Sequence, residues 1–272
     1  MEVNDTNPLN NLCYKLKSSG KYLIDALIVF SGNINYSAET GRVYFFANPN
    51  VQHLLDNRKK YFKPLQDRGI KIIMGLLGNH DRAGLDNLND EVAKLFAHEI
   101  KALCDAYQLD GVMYDDEYTK YVTPTPPGFV DQSSEAASRL AYEVWKLQPD
   151  RWNVVYKLGS FTKLYEVDGV QPGTYISYAL HDYGRGTDMS SAYEGLSRSC
   201  MGLYSQEFNE EKFASLSELK KIRNNGYGAH MIFAMDPTRS NRNLQEQALN
   251  RCAEAFYNDE LAIETPYYEK DW

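Results

Sequence analysis

Three acids close one apolar run, Leu109-Asp110-Gly111-Val112-Met113-Tyr114-Asp115-Asp116-Glu117-Tyr118, with no Lys or Arg among them. In an extended strand the side chains alternate, so Gly111, Met113, Asp115 and Glu117 share one side while Val112, Tyr114 and Asp116 take the other. Asp115 and Glu117 then stand about 7 Å apart at backbone level, at the C-terminal tip of a buried strand. A charged Asp115 raises the proton affinity of Glu117, and a Glu protonated near neutral pH is what a general acid requires. Two plainer readings stay open, a solvated acidic turn and a divalent-cation site. A turn rarely follows an apolar strand with this alternation. A Mg²⁺ or Ca²⁺ site wants more oxygen ligands nearby, and Asp116 points the wrong way to supply one. General acid–base work is the favoured chemistry, with no metal and no cofactor expected.

The elements that must position these acids alternate along the chain. Strand candidates are Leu23–Phe30, Val43–Phe46, Ile70–Leu77, Leu109–Asp115, Asn153–Leu158, Tyr175–Leu180, Met201–Ser205 and His230–Met235. Helix candidates cover 50–68, 87–107, 133–148, 209–225 and 243–257, the third opening at Ser133-Ser134-Glu135 and stopping at Pro149. Such alternation predicts a parallel sheet covered by helices. Eight strand-like runs without a glycine-rich phosphate loop favour an α/β fold of the closed (β/α)8 TIM-barrel type over a doubly wound sheet. The connections 159–174 and 182–199 are poor in helical pattern, so the outer ring is expected to be incomplete. No linker or repeat divides the chain, and residues 1–272 are read as one domain. Six strand ends are polar: Ser31-Gly32-Asn33, Gly78-Asn79-His80-Asp81, Asp115-Asp116-Glu117, His181-Asp182-Tyr183, Ser205-Gln206-Glu207 and Asp236-Pro237. In a barrel these ends form the floor on which a ligand sits.

Bulk composition narrows the partners. The 272 residues are 43% hydrophobic, enough for a full core, and carry a net charge of −8 with no block of Lys or Arg. Nucleic acid and anionic membrane surfaces are therefore poor partners, and no apolar run approaches the roughly 20 residues of a membrane helix. Met1-Glu2-Val3-Asn4-Asp5 lacks the basic and apolar regions of a signal peptide, which leaves a cytosolic protein or one whose leader has been removed. Cys13, Cys104, Cys200 and Cys252 have no metal-binding spacing and read as buried free thiols. Twenty-one tyrosines are unusual for this length. Rings with a polar edge suit sugar faces, though most serve the core or surface in any protein.

The acidic segment resembles the signature of glycoside hydrolase family 18, Asp-x-x-Asp-x-Asp-x-Glu, here Asp110 to Glu117. A closer resemblance is to the bacterial endo-β-N-acetylglucosaminidases of the Endo F and Endo H type, Endo F above all. It is carried by Phe30 to Tyr36, Asn48-Pro49-Asn50-Val51-Gln52, Leu77 to Asp81, Leu109 to Tyr118, His181-Asp182-Tyr183-Gly184, Ser205-Gln206-Glu207-Phe208, Gly228 to Asp236 and Lys270-Asp271-Trp272. Met113 departs from the pattern by standing at the signature's second Asp. That weakens a chitinase reading, whereas the Endo F branch also carries an apolar residue there.

The resemblance implies cleavage between the two GlcNAc residues of the N-glycan core, with high-mannose glycans as substrates and hybrid glycans as a second candidate class. Two carboxylates on one strand approach the sugar from nearly one side, while a standard retaining pair needs opposite faces of the scissile bond. The substrate's own 2-acetamido oxygen is then the natural nucleophile, helped by its held geometry. Glu117 is expected as acid and then base, Asp115 as acceptor of the acetamido N–H, and Tyr183 as donor to the acetamido oxygen. His181 is expected to contact sugar, and Asn33, Asn79, His80, Tyr204, Gln206 and Asp236 are further binding candidates. For each, a structural hydrogen bond is the competing reading. The loop Tyr118 to Phe129, stiffened by Pro124, Pro126 and Pro127, reads as a groove wall or a plain spacer. The alternatives to this reading are a chitinase and a non-catalytic glycan-binding protein on the same fold. The family's relatives are exported bacterial enzymes, so a secreted, periplasmic or cell-surface monomer is expected.

Overall fold

A computed structural model describes residues 1–3, 5–183 and 188–272, so Gly184 of the segment beginning at His181 lies outside the described residues. The strands in chain order are β1 (Glu2–Val3), β2 (Tyr14–Leu16), β3 (Ala26–Ser37), β4 (Arg42–Ala47), β5 (Lys71–Gly78), β6 (Gly111–Asp115), β7 (Trp152–Lys157), β8 (Tyr178–His181), β9 (Met201–Gly202), β10 (Ser205–Glu207), β11 (Met231–Phe233) and β12 (Leu261–Ile263). The helices are α1 (Pro49–Asp56), α2 (Arg58–Tyr61), α3 (Lys63–Gln66), α4 (Asp90–Tyr107), α5 (Ser134–Leu147), α6 (Pro172–Tyr175), α7 (Leu216–Asn224) and α8 (Arg242–Cys252). A curled parallel sheet runs β1-β3-β5-β6-β7-β8-β9. β10 continues the line of β9 and pairs in parallel with β11. β11 lies against β1, where the Glu2 carboxyl accepts a hydrogen bond from the Ala234 N–H. The sheet thereby curls into the TIM-type barrel expected from the alternation.

One stave differs from the sequence pattern. Val43–Phe46 lies in β4, which pairs antiparallel with β3 as the return arm of a hairpin. Its place among the staves is taken by β1, two residues long and too short to show a period. The run at Tyr175–Leu180 begins with the short α6, so the strand starts only at Tyr178. The long helix expected over 50–68 is three short ones, α1, α2 and α3. Helix α5 starts where its cap predicts, with the Ser133 side chain accepting from the Ala136 N–H. The connection 159–174 holds only a 3-10 turn and four-residue α6, so the outer ring is thin there.

Alternation sorts the barrel into two apolar regions. Ile28, Ile73, Met113, Val154, Tyr156, Leu180 and Met231 fill the inside. Val29, Ile72, Met74, Val112, Tyr114, Val155 and Ala179 face the helices, where Phe96, Ile100, Leu140 and Val144 meet them. Met113 is fully buried inside; an Asp at this position would be desolvated beneath Asp115, while a thioether belongs among these neighbours. All four cysteines are free thiols, three buried and Cys200 half-buried. No helix among the described residues is long and apolar enough to cross a membrane.

Candidate active site

Strand β6 ends inside the barrel mouth at Asp115, which follows Met113 on the inward side and is 4% exposed. Its Oδ1 is buried and has no hydrogen-bond partner in the protein. Burial is the main reason its pKa rises to about 8, and Glu117, Glu2, Asp116 and Asp182 add like-charge repulsion in that order. The effect of the Glu117 charge falls on Asp115, where it ranks next after burial. Glu117, half-buried, takes a hydrogen bond from the Tyr118 hydroxyl. Tyr118 has a raised pKa, chiefly through Glu117, with Asp115 and Tyr183 also acting on it. The Tyr118 hydroxyl therefore stands among the three residues assigned to chemistry. Gly78 at the end of β5 lets this happen, because any Cβ there would overlap the Glu117 carbonyl oxygen.

Tyr183 follows β8 and bridges to Ser205 on β10. Its ring packs edge-on against Phe233, and Lys212 Nζ lies 4.3 Å from the ring centroid. Its N–H donates to Asp182 Oδ1 at 2.7 Å, which also accepts from the Tyr156 hydroxyl at 2.5 Å. Asp182 thus faces the barrel with Tyr156 and Asp115. His181 alternates to the side of Ala179, toward the helices, and its carbonyl accepts from the Ser205 hydroxyl at 2.6 Å. Alternation puts Asp182, and not His181, on the inward side.

The other binding candidates divide into two groups. Asn33 donates to the Gly78 carbonyl at 3.2 Å, and Asn79 to Asn35 Oδ1 at 3.1 Å. His80, at a left-handed φ of 58°, gives its N–H to the Tyr118 carbonyl at 3.0 Å and lays its exposed ring beside the Tyr118 ring. These three gather at the β5–β6 edge of the mouth. Tyr204 is half-buried and lies toward Lys212 and Glu218. Gln206 is not brought to the mouth: it is fully buried, accepts from the Ala214 N–H at 2.7 Å and reaches His230 and Cys252. Asp236 is spent on its own turn, accepting from the Thr238 N–H and hydroxyl and from Arg239. Gln206 pairs in register with Ile232 of the outer cluster, which turns its side chain away from the interior.

Beyond Tyr118 the proline-bearing loop is pinned at both ends. Tyr121 donates to Asp86 Oδ1 at 2.7 Å, and Phe129 packs edge-on against Tyr36, whose ring also carries Arg82 at 4.9 Å. The loop leaves Tyr118, Tyr121 and Val122 exposed beside the acids, as a groove wall would. No group of three or more His, Cys, Asp or Glu suited to a metal occurs among the described residues. Glu2, Asp86, Asp182 and Ser160 join the acid network without having been singled out from sequence. Only Asp182 had a visible signal there, as one of the polar strand ends.

Curled parallel barrels of this kind occur in family 18 chitinases, such as chitinase A of Streptomyces coelicolor, which superimposes with a TM-score of 0.56 at 15% identity over 94% of this chain and 96% of that one. That likeness concerns the fold. No family model matches the chain. Endo-β-N-acetylglucosaminidase F1 of Elizabethkingia meningoseptica is 53% identical over 100% of this chain and 80% of its own length. An endo-β-N-acetylglucosaminidase of Flavobacterium sp. (strain SK1022) is 30% identical over 86% of this chain and 73% of its own. EndoBT-3987 of Bacteroides thetaiotamicron, solved with a Man9GlcNAc2Asn substrate, superimposes with a TM-score of 0.90 at 35% identity, covering 99% of this chain and 68% of that one. In the complex of the same enzyme with a Man5GlcNAc product, this chain spans 63% of the solved chain, again at a TM-score of 0.90. The chain belongs to the endo-β-N-acetylglucosaminidases of glycoside hydrolase family 18.

Proposed function

We propose that this enzyme hydrolyses the GlcNAc-β1,4-GlcNAc bond in the core of high-mannose N-glycans, leaving one GlcNAc on Asn. The observation that carries the residue roles is the pairing of a buried Asp115, its Oδ1 without a protein partner, with a half-buried Glu117 just beyond the strand end, close enough for its charge to act on Asp115. An oxygen held dry and unpartnered is suited to accept a ligand N–H. The substrate named in the relative's complex, Man9GlcNAc2Asn, supports the glycan class.

In this mechanism Glu117 gives its proton to the glycosidic oxygen as the C1–O bond breaks. The 2-acetamido oxygen attacks C1 from the opposite face and forms an oxazolinium ion. Asp115 accepts the acetamido N–H and stabilises the positive charge that develops on the ring. Tyr183 donates to the acetamido oxygen and sets its angle of attack. Glu117, now a carboxylate, takes a proton from the water that opens the ring, giving net retention at C1. Lys212 lies over the Tyr183 ring and helps hold it in place. Asn33, Asn79 and His80 support the sugar-facing rim through Tyr118 and Gly78, and Tyr204 is a further rim candidate. We also propose a monomer of one domain acting outside the cytoplasm, because its substrate is carried by exported glycoproteins.

Mass spectrometry of a high-mannose glycoprotein incubated with the enzyme tests the reading, with Glu117→Gln in parallel. Glycan loss that leaves a single GlcNAc on Asn, seen with wild type alone, is the expected result. Release of chitobiose from chitin oligomers with the glycoprotein untouched would favour a chitinase. Tight glycan retention without turnover would favour a binding protein.

A further inference from the structure

Behind the catalytic strand a second acid pair is buried. Asp116 turns to the outer side of β6, and Asp86 reaches it from the loop between β5 and α4; they are 8% and 0% exposed. Ser160 ties them together, its N–H donating to Asp116 Oδ2 at 2.7 Å and its hydroxyl to Asp86 Oδ2 at 2.5 Å. The Tyr121 hydroxyl donates to Asp86 Oδ1 at 2.7 Å. Burial first, and then the charge and proximity of Asp86, raise the pKa of Asp116 to about 7. Gly159 closes the arrangement, since a Cβ there would overlap the Asp116 carboxyl. The charged or titratable groups facing the pair are Asp115 at the end of the strand, Glu117 just beyond it and Tyr121 from the loop.

We propose that Asp86, Asp116, Ser160 and Tyr121 form a proton-sharing clamp that positions Asp115 and Glu117 for the reaction. The inference rests on the roles proposed above for those two residues. Asp116 is their common neighbour in the chain, so fixing its carboxyl on the outer side fixes both inward side chains. The clamp holds only while the pair shares one proton. Burial and the charge of Asp86 both push Asp116 toward keeping that proton. When it leaves at higher pH, two buried negative charges face one another and the strand tip must yield. The clamp therefore adds an alkaline limb to kcat, with KM much less affected.

Asp86→Asn tests this. The Asn amide donates to the Asp116 carboxylate where the shared proton stood, and its oxygen still accepts from Ser160 or Tyr121, so the variant copies the protonated pair at every pH. On a high-mannose glycopeptide, the ratio of kcat at about pH 8.5 to kcat at about pH 6.5 should rise by about threefold or more over wild type. Asp116→Asn, which restores the same donor–acceptor pattern from the other side, should shift the limb in the same direction. An unchanged ratio in both variants, with Glu117→Gln inactive, would overturn the clamp alone. A fully active Glu117→Gln would overturn the catalytic roles and the clamp with them.

Discussion

At the scale of single residues, the site holds carboxyl groups in an environment that resists their charge. Asp115, buried and surrounded by other acids, has its pKa raised to about 8, so a large fraction is neutral in the empty enzyme at neutral pH. Its proposed partner in the reaction is an N–H group that becomes positively charged, and this favours the carboxylate. Binding a non-hydrolysable GlcNAc-containing analogue whose acetamido N–H donates to Asp115 should therefore release a proton near pH 7. Isothermal titration in buffers of different ionisation enthalpy reads this directly, and proton uptake or no exchange would contradict the assignment. Stability carries the same signature with a definite sign. An acid whose folded pKa lies above its unfolded value of about 3.9 costs stability as pH rises from the lower value through the higher one. Asp115→Asn should abolish most turnover yet raise the melting temperature more at about pH 8 than at about pH 4. The gain should be on the order of a few kcal/mol, at about 1.4 kcal/mol per pH unit. Glu117→Gln keeps the shape of the acid without its proton, so kcat should fall by about three or more tenfold steps while glycan affinity changes little. Single-turnover cleavage and calorimetric binding separate the two.

At the scale of elements, the tip of β6 works because its neighbours leave room for it. The end of β5 passes so close to the segment after Asp115 that Gly78 has no space for a side chain. Gly78→Ala should push the backbone of residues 117–119 away from β5, costing about 1–3 kcal/mol as an overpacking change. It should also lower kcat about tenfold or more. Chemical denaturation with a parallel kinetic assay checks it, and a Gly78→Ala enzyme with wild-type kcat would show that the strand tip tolerates displacement. This part of the site was legible beforehand because it depends on a period of two. Gly111, Met113 and Asp115 alternate inward without interruption, and their places inside the barrel follow from position alone. The elements that pattern missed lack a period. β1 has two residues, and the line formed by β9 and β10 is broken between Gly202 and Ser205. The break spoils the alternation that would have shown Gln206 facing the helices. The run Val43–Phe46 looks like a stave because a hairpin arm and a barrel strand use the same β-branched and aromatic residues. Direction of pairing is a tertiary property that composition does not carry. Asp86 and Ser160 sit in loops whose residues read as ordinary turn chemistry, and only the closure of β5, β6 and β7 side by side brings them together.

At the scale of the whole molecule, closing the barrel brings into one electrostatic field groups that are far apart in the chain. Glu2 faces inward because it pairs in register with Ile28, a residue of the interior cluster. It is 4% exposed, and burial together with the Glu207 charge raises its pKa to about 7. Its charge in turn contributes to the raised pKa of Asp115. The family signature places an acid two residues before Asp115 on the same strand, and here that position is Met113. A carboxyl group inside the barrel is nonetheless present, delivered by the first strand. Glu2→Gln removes the charge and keeps an oxygen to accept the Ala234 N–H at the barrel seam. With one like charge gone, the pKa of Asp115 must fall. If Asp115 has to be ionised to receive the acetamido N–H, the acid limb of kcat/KM reports its pKa in the free enzyme. That limb should move to lower pH in Glu2→Gln, by about half a unit to one unit. The alkaline limb that the proposed clamp adds should stay in place. A pH–rate profile on a short glycopeptide, where chemistry and not product release limits turnover, gives both limbs at once. Movement of the acid limb alone would mark Glu2 as an electrostatic partner of Asp115 acting across the barrel. A uniform loss of rate with both limbs fixed would reduce Glu2 to a seam residue that only helps the sheet to close.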